Sequence, residues 1–106
     1  MGNDLVFDVM TYSVEEVACM LDITENTVRT WCQSHKLAAY HEDATNIRSP
    51  WIIAQSSLVN FIAKSNKYYG YLRQRVKRCE LSYQYMQEAG KILKLVDEKR
   101  KEQESI

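Results

Sequence analysis

The chain has 106 residues, of which 45% are hydrophobic and 26% charged, as is ordinary for a small globular domain with an appended element. No apolar run has the length of a membrane span, so the sequence predicts no contact with a membrane. The net charge is zero, and three cysteines without paired spacing indicate free, buried thiols in a reduced, cytoplasmic setting.

Charge is distributed unevenly along the chain. Residues 1–25 hold six acidic residues and no Lys or Arg, whereas residues 26–79 hold nine basic residues against two acidic ones. A basic middle segment behind an acidic one is an asymmetry that phosphate binding needs. The basic cluster at residues 73–78 fits that role and fits a solvated helix face equally well.

Two short helices are predicted after an irregular lead-in at residues 1–10. Ser13 and Glu16 have the spacing of a capping box, which starts a helix that ends near Leu21. Thr24 then caps a second helix. One stripe of this second helix is apolar and holds Val28, Trp31 and Cys32. The opposite stripe is polar and holds Asn26, Arg29, Thr30 and Gln33.

A hairpin and a third helix are predicted next. Residues 37–40 and 47–53 are predicted as two strands around a polar loop, and Pro50 predicts that the second is an edge or bulged strand. Ser56 or Ser57 is expected to cap the third helix. The order of helix-turn-helix, hairpin and helix predicts a mainly α, winged helix-turn-helix domain over residues 11–65, with a small two-stranded wing.

Residues 66–104 are compatible with one long helix. Apolar residues recur in steps of three and four, which is the pattern of a coiled coil and predicts a homodimer or tetramer. The predicted seam holds Tyr69, Leu72, Val76, Cys79, Tyr83, Met86, Leu93 and Val96. The alternative is a monomer in which this helix folds back on the head.

Several landmarks together resemble the excisionase and MerR-type winged helix-turn-helix family. They are the segments 12–18, 21–24, 27–28, 36–37, 51–53 and 57–62, in the order and at the spacing of that family. The resemblance implies that the second helix enters the major groove of DNA and that the wing touches the backbone or the minor groove. It also implies a C-terminal dimerisation helix, and it suggests a bacterial plasmid or phage origin.

The resemblance and the side-chain chemistry predict the same DNA contacts. Arg29 suits guanine, Asn26 or Gln33 suits adenine, and Thr30 suits a thymine methyl group. Basic side chains outside the second helix would hold phosphates without reading sequence. The predicted DNA-binding set is Asn26, Thr27, Arg29, Thr30, Gln33, Lys36, Arg48 and Lys64.

Some residues depart from the family pattern. Glu25 stands where a basic or neutral residue is usual, His35 replaces a glycine, and the wing carries Glu42 and Asp43 in place of arginines. The acidic wing supports an alternative function: an adaptor that has lost DNA binding and joins protein partners through its last helix. No catalytic constellation, nucleotide motif or metal-ligand spacing is found, so the sequence predicts neither an enzyme nor a cofactor or metal.

Overall fold

A computed structural model describes residues 10–104 of the chain, so all but the last residue of the predicted lead-in lies outside the described part. Its elements, in chain order, are β1 (Thr11–Tyr12), α1 (Val14–Leu21), α2 (Glu25–Gln33), β2 (Tyr40–His41), β3 (Trp51–Ala54), α3 (Gln55–Ala63), α4 (Asn66–Lys77) and α5 (Tyr83–Glu104). The mainly helical class, the order of helix-turn-helix, hairpin and helix, and a long C-terminal helix are confirmed. None of the helices within residues 10–104 is both long and apolar enough to cross a membrane.

The predicted starts of the first two helices are confirmed. The Ser13 hydroxyl accepts from the backbone N–H of Glu16 at 3.1 Å, and the Glu16 carboxylate accepts from the backbone N–H of Ser13 at 2.8 Å. The Thr24 hydroxyl accepts from the backbone N–H of Thr27 at 3.2 Å. Both caps satisfy amide groups that have no partner within the helix.

Three helices end in the same way, each on a residue other than glycine with positive φ. These residues are Asp22 at 57°, His35 at 62° and Cys79 at 53°. In each case the left-handed residue and its successor donate their N–H groups back to carbonyls of the last helical turn, which is the Schellman arrangement. The left-handed turn at His35, for example, brings the N–H of Lys36 to the carbonyl of Trp31 at 2.9 Å.

The sheet has three antiparallel strands in the order β1-β3-β2. The prediction that the second hairpin strand is an edge or bulged strand is wrong, because the strand begins at Trp51, after Pro50, and is central. Pro50 contributes only its carbonyl, which accepts from the N–H of Glu42 at 2.8 Å. The first hairpin strand is also shorter than predicted, and the pairing of Thr11–Tyr12 with β3 was not expected.

The third helix follows β3 without a loop. Ala54 is its N-cap and supplies no side-chain hydrogen bond, so the expected serine cap is wrong. One N–H group of its first turn nevertheless has a partner, because the backbone N–H of Gln55 donates to the carbonyl of Met10 at 2.8 Å. β3 and α3 are thereby fixed to the start of β1.

The single helix predicted from residue 66 is, in the structure, two helices. The α4 helix ends at Lys77, the Schellman turn at Cys79 reverses the chain, and α5 begins at Tyr83. The α5 helix then packs on α3, α4 and α1 of its own chain. The arrangement is close to the folded-back alternative, except that the chain turns before it folds back.

The predicted coiled-coil seam therefore does not form one continuous surface. Two of its residues, Leu72 and Val96, are fully buried in the interior. Two others, Cys79 and Tyr83, are exposed. The remaining four are half-buried: Tyr69, Val76, Met86 and Leu93. Ala89 and Ile92 of α5 are also fully buried. The apolar stripe that predicted self-association is thus largely used to build the core of one chain.

Two arginines fasten the last two helices to the head. Arg75 of α4 donates to the carbonyl of Cys19, near the end of α1, at 2.8 Å. Arg100 of α5 donates to the carbonyl of Ala63, the last residue of α3, at 3.0 Å, and to the side chain of Asn66 at 2.8 Å. Cationic side chains at helix C-termini satisfy free carbonyls and oppose the negative end of the helix dipole.

Candidate nucleic-acid interface

The α2 helix divides cleanly into a buried face and an exposed face. Val28, Trp31 and Cys32 are at most 5% exposed and pack in the core, as predicted. Burial raises the pKa of the Cys32 thiol, which favours an inert, packed side chain. The exposed face holds Asn26, Arg29, Thr30 and Gln33.

Local hydrogen bonds engage part of the exposed face. The guanidinium of Arg29 lies 3.1 Å from the carboxylate of Glu25, and both side chains are about half exposed. The Thr30 hydroxyl donates to the backbone carbonyl of Asn26 at 2.9 Å. This uses the hydroxyl proton of Thr30 and leaves its methyl group and a hydroxyl lone pair for other contacts. Glu25 and any anionic ligand compete for Arg29.

Thr27 differs from the other predicted α2 contacts. Its hydroxyl lies 2.8 Å from the hydroxyl of Thr24, and the side chain is half-buried. Thr27 therefore belongs to the N-cap of α2, where it positions the helix.

A groove of about 340 Å³ lies between α2 and the wing. Arg29 and Gln33 line it from the helix, and Ile47 and Arg48 line it from the wing. Three of the predicted site residues therefore face one groove. Glu15 also lines it, which adds one acidic side chain to this surface.

The wing loop is held by its own hydrogen bonds. The Asp43 carboxylate accepts from the N–H and hydroxyl of Thr45, and the latter bond lowers the pKa of Asp43. The Asn46 side chain accepts from the N–H of Arg48 at 2.9 Å. The Ser49 hydroxyl accepts from the N–H of Asp43 at 3.0 Å and lies within hydrogen-bond distance of two loop carbonyls.

The base of the wing is fixed by a stacked pair. The imidazole of His41 stacks on the indole of Trp51 with ring centroids 3.9 Å apart. Its Nδ1 lies 2.8 Å from the carbonyl of Ser49. Both strands of the wing are thereby joined at the point where the loop begins.

Lys36 and Lys64 lie at a second groove, of about 460 Å³. Lys36 follows the end of α2, and Lys64 is the C-cap of α3. Polar side chains of Ser57 and Asn60 line the same groove. The predicted phosphate contacts thus divide into two sites, with Arg48 at the first groove and this lysine pair at the second.

The basic cluster at residues 73–78 is also divided by the structure. Arg75 turns inward to the carbonyl of Cys19, whereas Arg78 is exposed. Arg78 lines a third groove, of about 560 Å³, together with Lys67 and two acidic residues, Asp22 and Glu80. The charge of this groove is therefore mixed.

One candidate contact was missed by the sequence analysis. Ile47 was assigned to a strand, but it lies in the wing loop and is 85% exposed. The sequence signal that could have identified Ile47 as an exposed contact is its position between the polar residues Asn46 and Arg48, in a loop too short to bury an apolar side chain. No three His, Cys, Asp or Glu side chains in the described part of the chain come together as a possible metal site.

Comparison with known protein families matches residues 11–66, just over half of the chain, to a family described as a helix-turn-helix domain. No match was found among curated proteins or solved structures. The matched segment begins with β1 and ends at the first residue of α4, so it contains α2, the wing and all of the predicted DNA contacts.

Proposed function

This chain belongs to the helix-turn-helix domain family, and from that premise we propose that it binds double-stranded DNA sequence-specifically. In this proposal α2 enters the major groove, and the protein acts as a small transcriptional regulator or as an accessory protein of a plasmid or phage. The observation that carries the proposal is the polar, exposed face of α2, which borders a groove shared with a wing arginine.

Side chains of α2 match the donor and acceptor patterns of base edges. Arg29 can donate two parallel hydrogen bonds to guanine, and Asn26 or Gln33 can pair with adenine. The methyl group of Thr30 suits the methyl of thymine. Each good pairing of this kind discriminates against a wrong base by about 1–3 kcal/mol.

Phosphate contacts orient the protein without reading bases. Arg48 lies on the wing side of the first groove, and Lys36 and Lys64 border the second. Together they place positive charge at two sites outside the reading face of α2. Such contacts supply affinity that falls with added salt.

The test is selection from a random duplex library, followed by binding of the winner at two salt concentrations. We expect Arg29→Ala to lose preference for the selected sequence, and Lys36→Ala to weaken all sequences alike and flatten the salt slope. Lys94→Ala, which removes an exposed charge of α5, is the matched control. If Arg29→Ala keeps the affinity for the selected site, α2 is not the reading helix.

The adaptor alternative also has support. Glu25 forms an ion pair with Arg29 at 3.1 Å, and Glu42 and Asp43 give the wing negative charge. An adaptor would yield no selected sequence and no salt-sensitive DNA binding. In that case the exposed surface of α5 is the place to look for a protein partner.

Self-association through residues 66–104 stays a prediction. In the described conformation Leu72 and Val96 lie inside one chain, so a seam containing them requires α5 to leave the head. Light scattering tests this directly. A monomer has a mass of 12.4 kDa, and a measured mass of about twice that value would show self-association.

A further inference from the structure

Ile47 is the most exposed large hydrophobic side chain in the described part of the chain, at 85%. Its neighbours along the loop, Asn46 and Arg48, are polar and exposed. A lone side chain is far smaller than the area that a stable protein–protein contact buries. The side chain of Ile47 instead suits a narrow binding site that accepts one apolar group.

The loop around Ile47 is fixed before any ligand arrives. The residue before it accepts a hydrogen bond from the residue after it, across Ile47, at 2.9 Å. Ser49 and Asp43 close the loop, and the His41–Trp51 stack closes its base. Presenting Ile47 therefore requires little ordering of the backbone on binding, which lowers the entropic cost of inserting it.

Ile47 also lies on the correct side of the molecule for DNA. It lines the same groove as Arg29 and Gln33, from the opposite wall. In the proposed docking α2 lies in the major groove, and the resemblance to winged helix-turn-helix proteins implies that the wing then touches the neighbouring backbone or minor groove. Arg48, beside it, supplies a cation for the phosphates at that point.

We propose that Ile47 is an apolar wedge that enters the minor groove and unstacks one base step, so that the protein bends the DNA it binds. This proposal rests on the proposed DNA binding. Isoleucine has no hydrogen-bonding side-chain atoms and reads no base edge, and the minor groove carries no methyl group for it to contact. Apolar side chains of this size are known to insert between base steps and to kink the duplex by about 20–90°.

The experiment measures binding and bending separately on one duplex. The probe is the duplex selected from the random library, with a donor and an acceptor fluorophore at its ends. A second copy carries 2-aminopurine at base steps beneath the wing, where unstacking raises the fluorescence. We expect the wild-type protein to shorten the end-to-end distance and to raise the 2-aminopurine signal at one step.

Three variants identify the wedge. Ile47→Ala is expected to bind the duplex but to lose at least about half of the bend and the 2-aminopurine signal, and Ile47→Met to retain both, because methionine is also a wedge residue. Leu95→Ala, an aliphatic truncation at an exposed site on α5, should bend DNA as the wild type does.

The outcomes are distinguishable. Binding with equal bending by wild type and Ile47→Ala would overturn the wedge and leave the proposed DNA binding intact, as would binding without bending. Failure of the wild-type protein to bind any selected duplex would overturn the proposed function and the wedge together. Because Ile47 is exposed, its truncation does not remove a core contact, and thermal unfolding of the variant checks that the fold is retained.

Discussion

The phenolic oxygen of Tyr12 donates a hydrogen bond to the carboxylate of Glu88 at 3.0 Å and accepts one from the side-chain amide of Gln55 at 2.9 Å. Tyr12 lies on β1, Gln55 starts α3 and Glu88 lies on α5. One buried side chain thus joins the first strand, the helix after the wing and the last helix. It connects the docking of α5 with the matched helix-turn-helix segment.

Tyr12→Phe should lower the free energy of unfolding at neutral pH by about 1–2 kcal/mol, because two hydrogen bonds are lost and their partners stay half-buried. Tyr83→Phe is the control, because Tyr83 is 77% exposed. Burial raises the pKa of Tyr12 to about 12, above the value of about 10 of an unfolded tyrosine.

The raised pKa gives this prediction a pH dependence with a defined sign. The folded state holds the Tyr12 proton more tightly than the unfolded state, so its stabilisation is complete below about pH 10 and is lost as the pH rises towards about 12. Urea titrations of the wild type and Tyr12→Phe from pH 8 to 12 measure it. A stability difference that stays constant over that range would show that Tyr12 ionises as an exposed tyrosine does.

The starts of the first two helices could be predicted because their signals are local. Ser13 and Glu16 satisfy each other's backbone within one turn. The polar face of α2 followed from helical periodicity in the same way.

The turn between α4 and α5 could not be predicted, because its left-handed position holds Cys79, where glycine is the usual signal. The stripe of α4 and α5 is apolar whether it covers a partner helix or the head. Only tertiary contacts, such as Arg100 with Ala63 and Asn66, distinguish the two arrangements. The exposure of Ile47 was missed for a related reason. Whether residue 47 belongs to a strand or to a loop depends on its pairing with a distant strand, which the local sequence does not reveal.

Cys79→Gly should stabilise the protein by about 0.5–1 kcal/mol, because a left-handed conformation costs a residue with a Cβ about 1–2 kcal/mol and glycine loses part of that gain to chain entropy. Cys79→Ala keeps the Cβ without the thiol and should match the wild type. Urea unfolding midpoints measure both. Destabilisation by glycine of about 1 kcal/mol relative to alanine would instead indicate an uninterrupted helix through residue 79.

Leu72→Ala should cost about 2–5 kcal/mol of unfolding free energy, since Leu72 is fully buried and its truncation leaves a cavity. Leu95→Ala, at a position 37% exposed, should cost less. The loss for Leu72→Ala should not depend on protein concentration, because its contacts lie within one chain. A stability loss that grows with protein concentration would place Leu72 at an interface between copies.

Glu25→Gln should tighten binding of the selected duplex by a factor of about 1.4 to 5, because an exposed ion pair of about 0.2–1 kcal/mol no longer competes for Arg29. The substitution also removes a negative charge beside the proposed phosphate contacts. Fluorescence anisotropy at low salt measures the change, and Glu98→Gln, at an exposed position on α5, is the control. The gain should be smaller in an Arg29→Ala background, since Glu25 then has no cation to hold and only the removal of its negative charge contributes. An equal gain with and without Arg29 would mean that Glu25 acts on the DNA charge alone and that the pair does not restrain the reading side chain.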